Sequence, residues 1–302
     1  MEVEQEIQRE YNPAHPNYKR WQLARDLSYD RAKFIEDLLS SEINVKGLKI
    51  LDIGSGEGST SLLLSEKNFV VSLEPKLQRI TKIPAKENLH PIIADGLCLP
   101  FKPGYFDLII LQDVIEHISV TDSFIISLNS LLKSDGIIYL STPNKFSLFN
   151  VISDPHWGLP LLSLLKRHQI KKYFLGIFRK NDYNRDDIAE LFSLKQIIKL
   201  FEKDFTINLK IKYSVQHLLN EGKGIIWSGF HLWLVNVVKF FGLKKILTSI
   251  ANDKQGMINK FFTPTFYIIA HPIRRLTDFP KGRAKVIQDK LIANLLITLL
   301  IL

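Results

Sequence analysis

Three glycines at alternating positions, Gly54, Gly56 and Gly58, follow the apolar run Leu48-Lys49-Ile50-Leu51-Asp52-Ile53 and precede a helix-compatible stretch from Ser59 to Lys67. Glycine accepts backbone angles that other residues avoid, so the chain here turns tightly and leaves room for a ligand to approach its main chain. The N-terminus of the following helix adds free N–H groups and a partial positive charge. A nucleotide-like ligand belongs at the end of such a strand. The spacing also discriminates between ligands. In the dinucleotide fingerprint G-x-G-x-x-G the third glycine lies beside pyrophosphate. Here Ser59 stands at that position, and the third glycine comes one residue early. Asp52, two residues before Gly54, suits a cationic ligand better than a pyrophosphate.

The pattern of short apolar runs separated by turn residues continues down the chain. Strands are expected at Phe69–Leu73, His90–Ala94, Phe106–Leu111, Ile137–Ser141, Phe205–Ile211 and Thr265–Ala270. Helices are expected over 17–43, at Leu77–Ile83, at Asp122–Leu132 with Asp122 as its cap, and at Leu194–Phe201. Buried strands alternating with helices of about ten residues indicate a largely parallel sheet covered on both faces. Two stretches break the rhythm, residues 145–190 and 214–260, and both read as irregular insertions rich in aromatic residues. The expected organisation is an N-terminal helical cap (1–45), a main domain (46–275) carrying those insertions, and a basic then apolar tail (276–302).

Acidic residues recur where the strands end. Glu74 lies 20 residues beyond Gly54, at the end of the second strand, where a carboxylate can accept both hydroxyls of a ribose. Asp95 closes the third strand, placed to accept from an adenine amino group while the backbone N–H of Gly96 or Leu97 meets a ring nitrogen. Three acids at three successive strand ends, together with the glycines, form a pattern that none of them makes alone.

These pieces resemble the class I S-adenosylmethionine-dependent methyltransferases, and within them the small-molecule branch that includes the ubiquinone-biosynthesis O-methyltransferases. The resemblance rests on LDIGSGEG at 51–58, Glu74, ADGLCLPF at 94–101, FDLIILQDVIEHI at 106–118 and LLKSDGIIYLSTPN at 131–144, about a third of the chain. It implies a Rossmann-like α/β fold with a seven-stranded sheet, parallel except for a last antiparallel strand, and helices on both faces. It implies S-adenosylmethionine as cofactor. Asp52, Gly54, Ser55 and Gly56 would face its methionine end, with Gln112 nearby. Glu74 would hold the ribose. Asp95 and Gly96 would hold the adenine, with Pro75 and Leu97 as apolar neighbours. Tyr18, Tyr29 and Arg31 are candidates for a helical cover over the cofactor.

Methyl transfer is an in-line displacement, so positioning the acceptor about 3 Å from the methyl group supplies much of the rate. A hydroxyl acceptor also needs a base, and histidine suits neutral pH. His117 is the first candidate and His156, in the Asp154-Pro155-His156-Trp157-Gly158 loop, the second. Asp113 would orient one of them or bind the acceptor. The aromatic insertions suit an apolar, aromatic, glycosyl or lipid-linked acceptor, and equally a small core of their own. No metal site is expected. The formal charge of +9 is compatible with a nucleic-acid substrate. Against that, Gln112-Asp113-Val114-Ile115 stands where base-modifying methyltransferases carry an Asn-Pro-Pro-aromatic tetrad. A non-catalytic cofactor-binding subunit is a further alternative.

One cysteine, Cys98, excludes an internal disulfide framework and fits a cytoplasmic setting. Leu291–Leu302 contains no charge, but twelve residues fall short of the roughly 20 that span a bilayer. It is compatible with packing on the body, with joining a partner, or with peripheral membrane contact behind the basic Lys281–Lys290 stretch.

Overall fold

The computed structural model describes residues 11–97, 99–185, 187–220 and 229–273. The apolar tail, its basic neighbour and Trp227 lie outside these residues. A seven-stranded sheet forms the centre, in the order β3-β2-β1-β4-β5-β7-β6. Its strands are β1 (Lys49–Ile53), β2 (Phe69–Leu73), β3 (Leu89–Ile92), β4 (Phe106–Gln112), β5 (Leu132–Pro143), β6 (Phe205–Leu209) and β7 (Thr265–Pro272). Strands β1 to β5 pair in parallel, and β7 runs antiparallel to both β5 and β6. The fold expected from the resemblance is therefore present, last antiparallel strand included.

Alternation along each strand divides the core between the two faces. Leu108 and Ile110 join Phe34, Ile35, Leu38, Ile50, Val70 and Tyr139 on one face. Ile109 and Leu111 join Leu51, Ile53, Phe124, Leu128, Ile197 and Phe201 on the other. Strands buried on both sides are why these segments read as continuous apolar runs.

Local chemistry sets several boundaries differently from the sequence expectation. The helix expected over 17–43 is two helices, Tyr18–Asp26 and Ser28–Ser40, broken at Leu27. Thr121, not Asp122, caps the helix Asp122–Leu131: its hydroxyl accepts from the Phe124 N–H, while Asp122 sits in the first turn. Strand β6 stops at Leu209, and a helix, Ile211–Asn220, begins where the strand was expected to continue. The second insertion is largely helical, with Gly229–Phe240, Lys244–Ile250 and Met257–Phe261 following that helix. Several of its apolar residues, Phe240, Phe241, Ile246 and Ile250 among them, remain exposed. Among the described residues, no helix is long and apolar enough to cross a membrane.

Candidate active site

At the carboxyl ends of β1, β2 and β4 lies a cavity of about 450 Å³, within the usual range for small-molecule sites. Its floor is the glycine turn. Gly54, Gly56 and Gly58 all have positive φ, at 70°, 59° and 80°. Two of them are also tied to their neighbours by close packing. A Cβ on Gly54 would lie 2.6 Å from Val114 Cγ2, and one on Gly58 2.6 Å from Ile83 Cδ1. The N–H groups of Gly54 and Ser55 both donate to the Leu73 carbonyl, which fastens the turn to the end of β2.

Glu74 is almost fully buried yet reaches this cavity. One carboxylate oxygen accepts from the Gly56 N–H at 3.0 Å and the other from the Lys76 N–H at 3.1 Å. A carboxylate held at both oxygens by backbone donors keeps a fixed plane and retains lone pairs for a diol. Of the residues expected at the cofactor, Gly54, Ser55, Gly56, Glu74, Pro75, Asp95, Gly96 and Gln112 line the cavity. Gln112 is positioned by the Thr60 hydroxyl at 2.8 Å.

Two of the residues expected at the cofactor are not part of the cavity lining. Asp52 does not line the cavity: it is 2% exposed and accepts from the Ser61 hydroxyl at 2.5 Å, which also meets the Ser72 hydroxyl. Burial, with the Glu74 charge adding and Ser61 opposing, pushes its carboxyl up to about 7. Through the Ser61 hydroxyl, Asp52 links β1 to β2 and to the helix Ser59–Leu64. Strand alternation turns its side chain into the layer beneath the turn. Leu97 is also absent from the lining, and its N–H donates to Asp95 Oδ1 at 3.0 Å. Of Tyr18, Tyr29 and Arg31, only Arg31 reaches the cavity.

The opposite wall carries the candidate catalytic groups. Asp113, at the end of β4, is a non-glycine residue with a φ of 55°. That strained backbone turns its carboxylate toward Arg31 Nη2 and the Ser141 hydroxyl, the latter at 3.0 Å. Burial raises its pKa, with Arg31 and Ser141 opposing. Glu116 is fully buried. Oε2 accepts from the Thr142 hydroxyl, Oε1 has no hydrogen-bond partner, and burial pushes its carboxyl well above the usual range.

His117 and His156 come together, their rings 5.0 Å apart and nearly perpendicular. His117 Nδ1 lies 2.8 Å from the Asp187 carbonyl oxygen. A carbonyl only accepts, so Nδ1 carries the proton and Nε2 keeps its lone pair. Burial lowers the pKa of His117, and burial together with His117 lowers that of His156 well below the usual value. Burial therefore favours the neutral form of both rings. Glu116, His117 and His156 each present a ligand atom within 4.8 Å of the others.

Several residues of this wall have no sequence signature. Asp187 enters from the first insertion, held by Arg185 at 2.8 and 3.0 Å and by Lys76 at 3.4 Å. Against the cost of burial, these cations hold its carboxyl well below its usual range. Arg20 lines the cavity and donates to the Asp154 and Pro155 carbonyls, which fixes the loop bearing His156 to the N-terminal helix. An arginine among 40 basic residues gives no hint of such a place.

A doubly covered seven-stranded sheet with an antiparallel β7, and a glycine-floored cavity facing a histidine pair, define a Rossmann-like methyltransferase architecture. The comparisons with known proteins take this further. The family model described as a methyltransferase domain matches residues 23–203. The chain belongs to that family. The ubiquinone biosynthesis O-methyltransferase of Pelagibacter ubique is 32% identical over 127 residues, covering 39% of this chain and 52% of that protein. The chain thus matches about half the length of that relative. The protein of the same name from Rickettsia prowazekii is 23% identical over 245 residues, covering 76% of this chain and 85% of that protein. Among solved structures, an S-adenosylmethionine-dependent methyltransferase from Mesorhizobium loti shares the fold, with a TM-score of 0.51 at 12% identity, covering 80% of this chain and 99% of that one.

Proposed function

We propose that this chain is an S-adenosylmethionine-dependent methyltransferase that methylates a hydroxyl of a small molecule. The observation that carries this reading is the content of one cavity. The three-glycine turn, Glu74 and Asp95 form one side, and His117, with its Nε2 lone pair available, forms another. The cofactor supplies a sulfonium methyl group as electrophile. With the cofactor bound, His117 Nε2 would accept the acceptor's hydroxyl proton, so that the oxygen could take the methyl group the cofactor would supply. Asp187, through its main chain, keeps the ring in the required tautomer. Asp113 and Arg31 form the wall on the acceptor side.

Oxygen is favoured as the acceptor atom because a neutral imidazole inside the cavity serves an acceptor that must lose a proton. The O-methyltransferase names of the relatives agree with this. Calorimetry with S-adenosylhomocysteine and with NAD, followed by transfer of labelled methyl to a hydroxylated aromatic probe such as catechol, tests the reading. Binding of S-adenosylhomocysteine and formation of a labelled ether are expected. Tight NAD binding would sink the cofactor assignment, and cofactor binding without product in any cell-extract fraction would favour a non-catalytic subunit.

The cluster of Glu116, His117 and His156 supports a second reading. Its carboxylate oxygen without a partner and its imidazole nitrogens form a donor set suited to a divalent cation, which would polarise the acceptor hydroxyl. Loss of turnover on chelation, restored by added metal, would select this reading. Turnover indifferent to chelator leaves His117 acting as the base alone.

A further inference from the structure

The second insertion ends in a surface that neither the cofactor nor the acceptor explains. The helix Gly229–Phe240 closes on Gly242, whose φ is 65°. The Gly242 N–H donates to the Lys239 carbonyl and the Leu243 N–H to the Val238 carbonyl, a tight C-terminal stop. The helix Lys244–Ile250 starts at once. This sharp corner presents Phe240 at 85% exposure and Phe241 at 66%, with their rings 5.2 Å apart. On the following helix Ile246 is 54% exposed and Ile250 44%. Two neighbouring phenylalanines this far out of the core cost free energy in water, and burying them elsewhere would recover it.

The charges around the corner indicate what covers it. Lys239, Lys244 and Lys245 flank the phenylalanines, and residues 229–252 contain no Asp or Glu. The next acid in sequence, Asp253, accepts from the Lys212 backbone N–H at 2.8 Å. An apolar tip ringed by lysines matches an anionic bilayer: aromatic rings enter the boundary between headgroups and acyl chains while ammonium groups meet lipid phosphates. Self-pairing of the same corner would bring Lys239, Lys244 and Lys245 of two copies together, with no Asp or Glu in residues 229–252 to offset them.

We propose that the Phe240–Ile250 corner is a membrane-contacting wedge that seats the enzyme on an anionic lipid surface. Its lipid source is a bilayer rather than a free amphiphile, because Phe240 and Phe241 stand 85% and 66% exposed side by side at a helix corner with lysines around them.

The test is co-sedimentation of the full chain with vesicles of phosphatidylcholine alone or mixed with phosphatidylglycerol, at low and high salt. The wild type should bind the mixed vesicles, more weakly at high salt. A Phe240→Glu/Phe241→Glu variant should lose about tenfold or more in partitioning, and a Lys239→Gln/Lys244→Gln/Lys245→Gln variant should lose its salt dependence. Thermal melting and S-adenosylhomocysteine affinity should match the wild type in both. These residues touch none of the cavity, so the lipid test and the methyl-transfer test fail independently. Wild-type binding by the phenylalanine variant would overturn the proposal, whether the 291–302 segment drives membrane binding or covers the corner. So would a wild-type dimer in the absence of vesicles that becomes a monomer in that variant.

Discussion

On the β1–β2 side, the cavity wall is mainly main chain: a turn of three glycines, with Glu74 held by backbone N–H groups. On the β4–β5 side it is mainly side chains delivered from distant segments, as when Asp187 meets His117 across 70 residues and Arg31 meets Asp113 across 82. The first side closes over a short stretch of sequence, as when Glu74 meets Gly56 across 18 residues. The second exists only once the insertions and the N-terminal helices have docked. A fixed cofactor suits the first kind of wall. A wall of docked side chains can be re-cut for a different acceptor without disturbing the sheet.

The largest effect should separate the two sides. His117→Ala should lower kcat by about 10²–10⁴-fold, the range for a positioned base, while leaving S-adenosylhomocysteine affinity near wild type. Unchanged turnover would remove His117 from the chemistry. Because burial lowers the pKa of His117, the wild-type rate should fall on the acid side only below the ordinary histidine value of 6.5, and this limb should vanish in the alanine variant.

Next comes the glycine turn. Gly54→Val combines strained φ with a clash against Val114, and should cost about 2–4 kcal/mol in urea unfolding as well as cofactor affinity. Gly56→Ala has open space around the added carbon, so it isolates the backbone strain and should cost about 1–2 kcal/mol. Equal costs for the two variants would mean that the Val114 contact yields freely.

Glu74→Gln keeps shape but presents an amide N–H₂ to a backbone donor. Cofactor affinity should fall by about 1–3 kcal/mol with little change in kcat at saturation. An affinity equal to wild type would place the ribose elsewhere.

The gentlest probe is Asp52→Asn. A carboxyl raised to about 7 in the fold, against 3.8 when unfolded, holds its proton longer in the native state. Wild-type stability contributed by this group is present below pH 4 and is lost as pH rises toward 7, by up to about 1.4 kcal/mol per pH unit. The variant should flatten that slope in urea unfolding followed from pH 4 to 7. A slope equal to wild type would mean that Asp52 is ionised in the fold.

The same contrast explains what could be read in advance. Phe69–Leu73 and Leu194–Phe201 occupy their expected limits because turn or capping chemistry punctuates both ends, as the Ser193–Gln196 capping box does for the latter. Glu74 and Asp95 follow from the regular return of strand ends. Asp52 shows where that reasoning stops: its position in sequence was clear, but strand alternation sends the side chain beneath the turn. Arg31 was one of three equal candidates until Asp113 selected it. Asp187 and Arg20 carry no local signal, because they meet His117 across 70 residues and the Asp154 carbonyl across 134, and such partnerships leave no periodic trace. The helices of the second insertion were missed for another reason. In Lys244–Ile250 the polar residues Lys244, Lys245, Thr248 and Ser249 share one face, but 7 residues are too few to separate a helical period from a loop.

The carbonyl that orients His117 belongs to the main chain of residue 187. No substitution there deletes a carbonyl oxygen, so the identity of the side chain is free to drift over evolutionary time as far as the tautomer of the ring is concerned. The path of the loop is not. A single-residue deletion between Arg185 and Glu190 would withdraw the acceptor and release the ring to either tautomer. The selection acting on this segment should therefore appear as constancy of length.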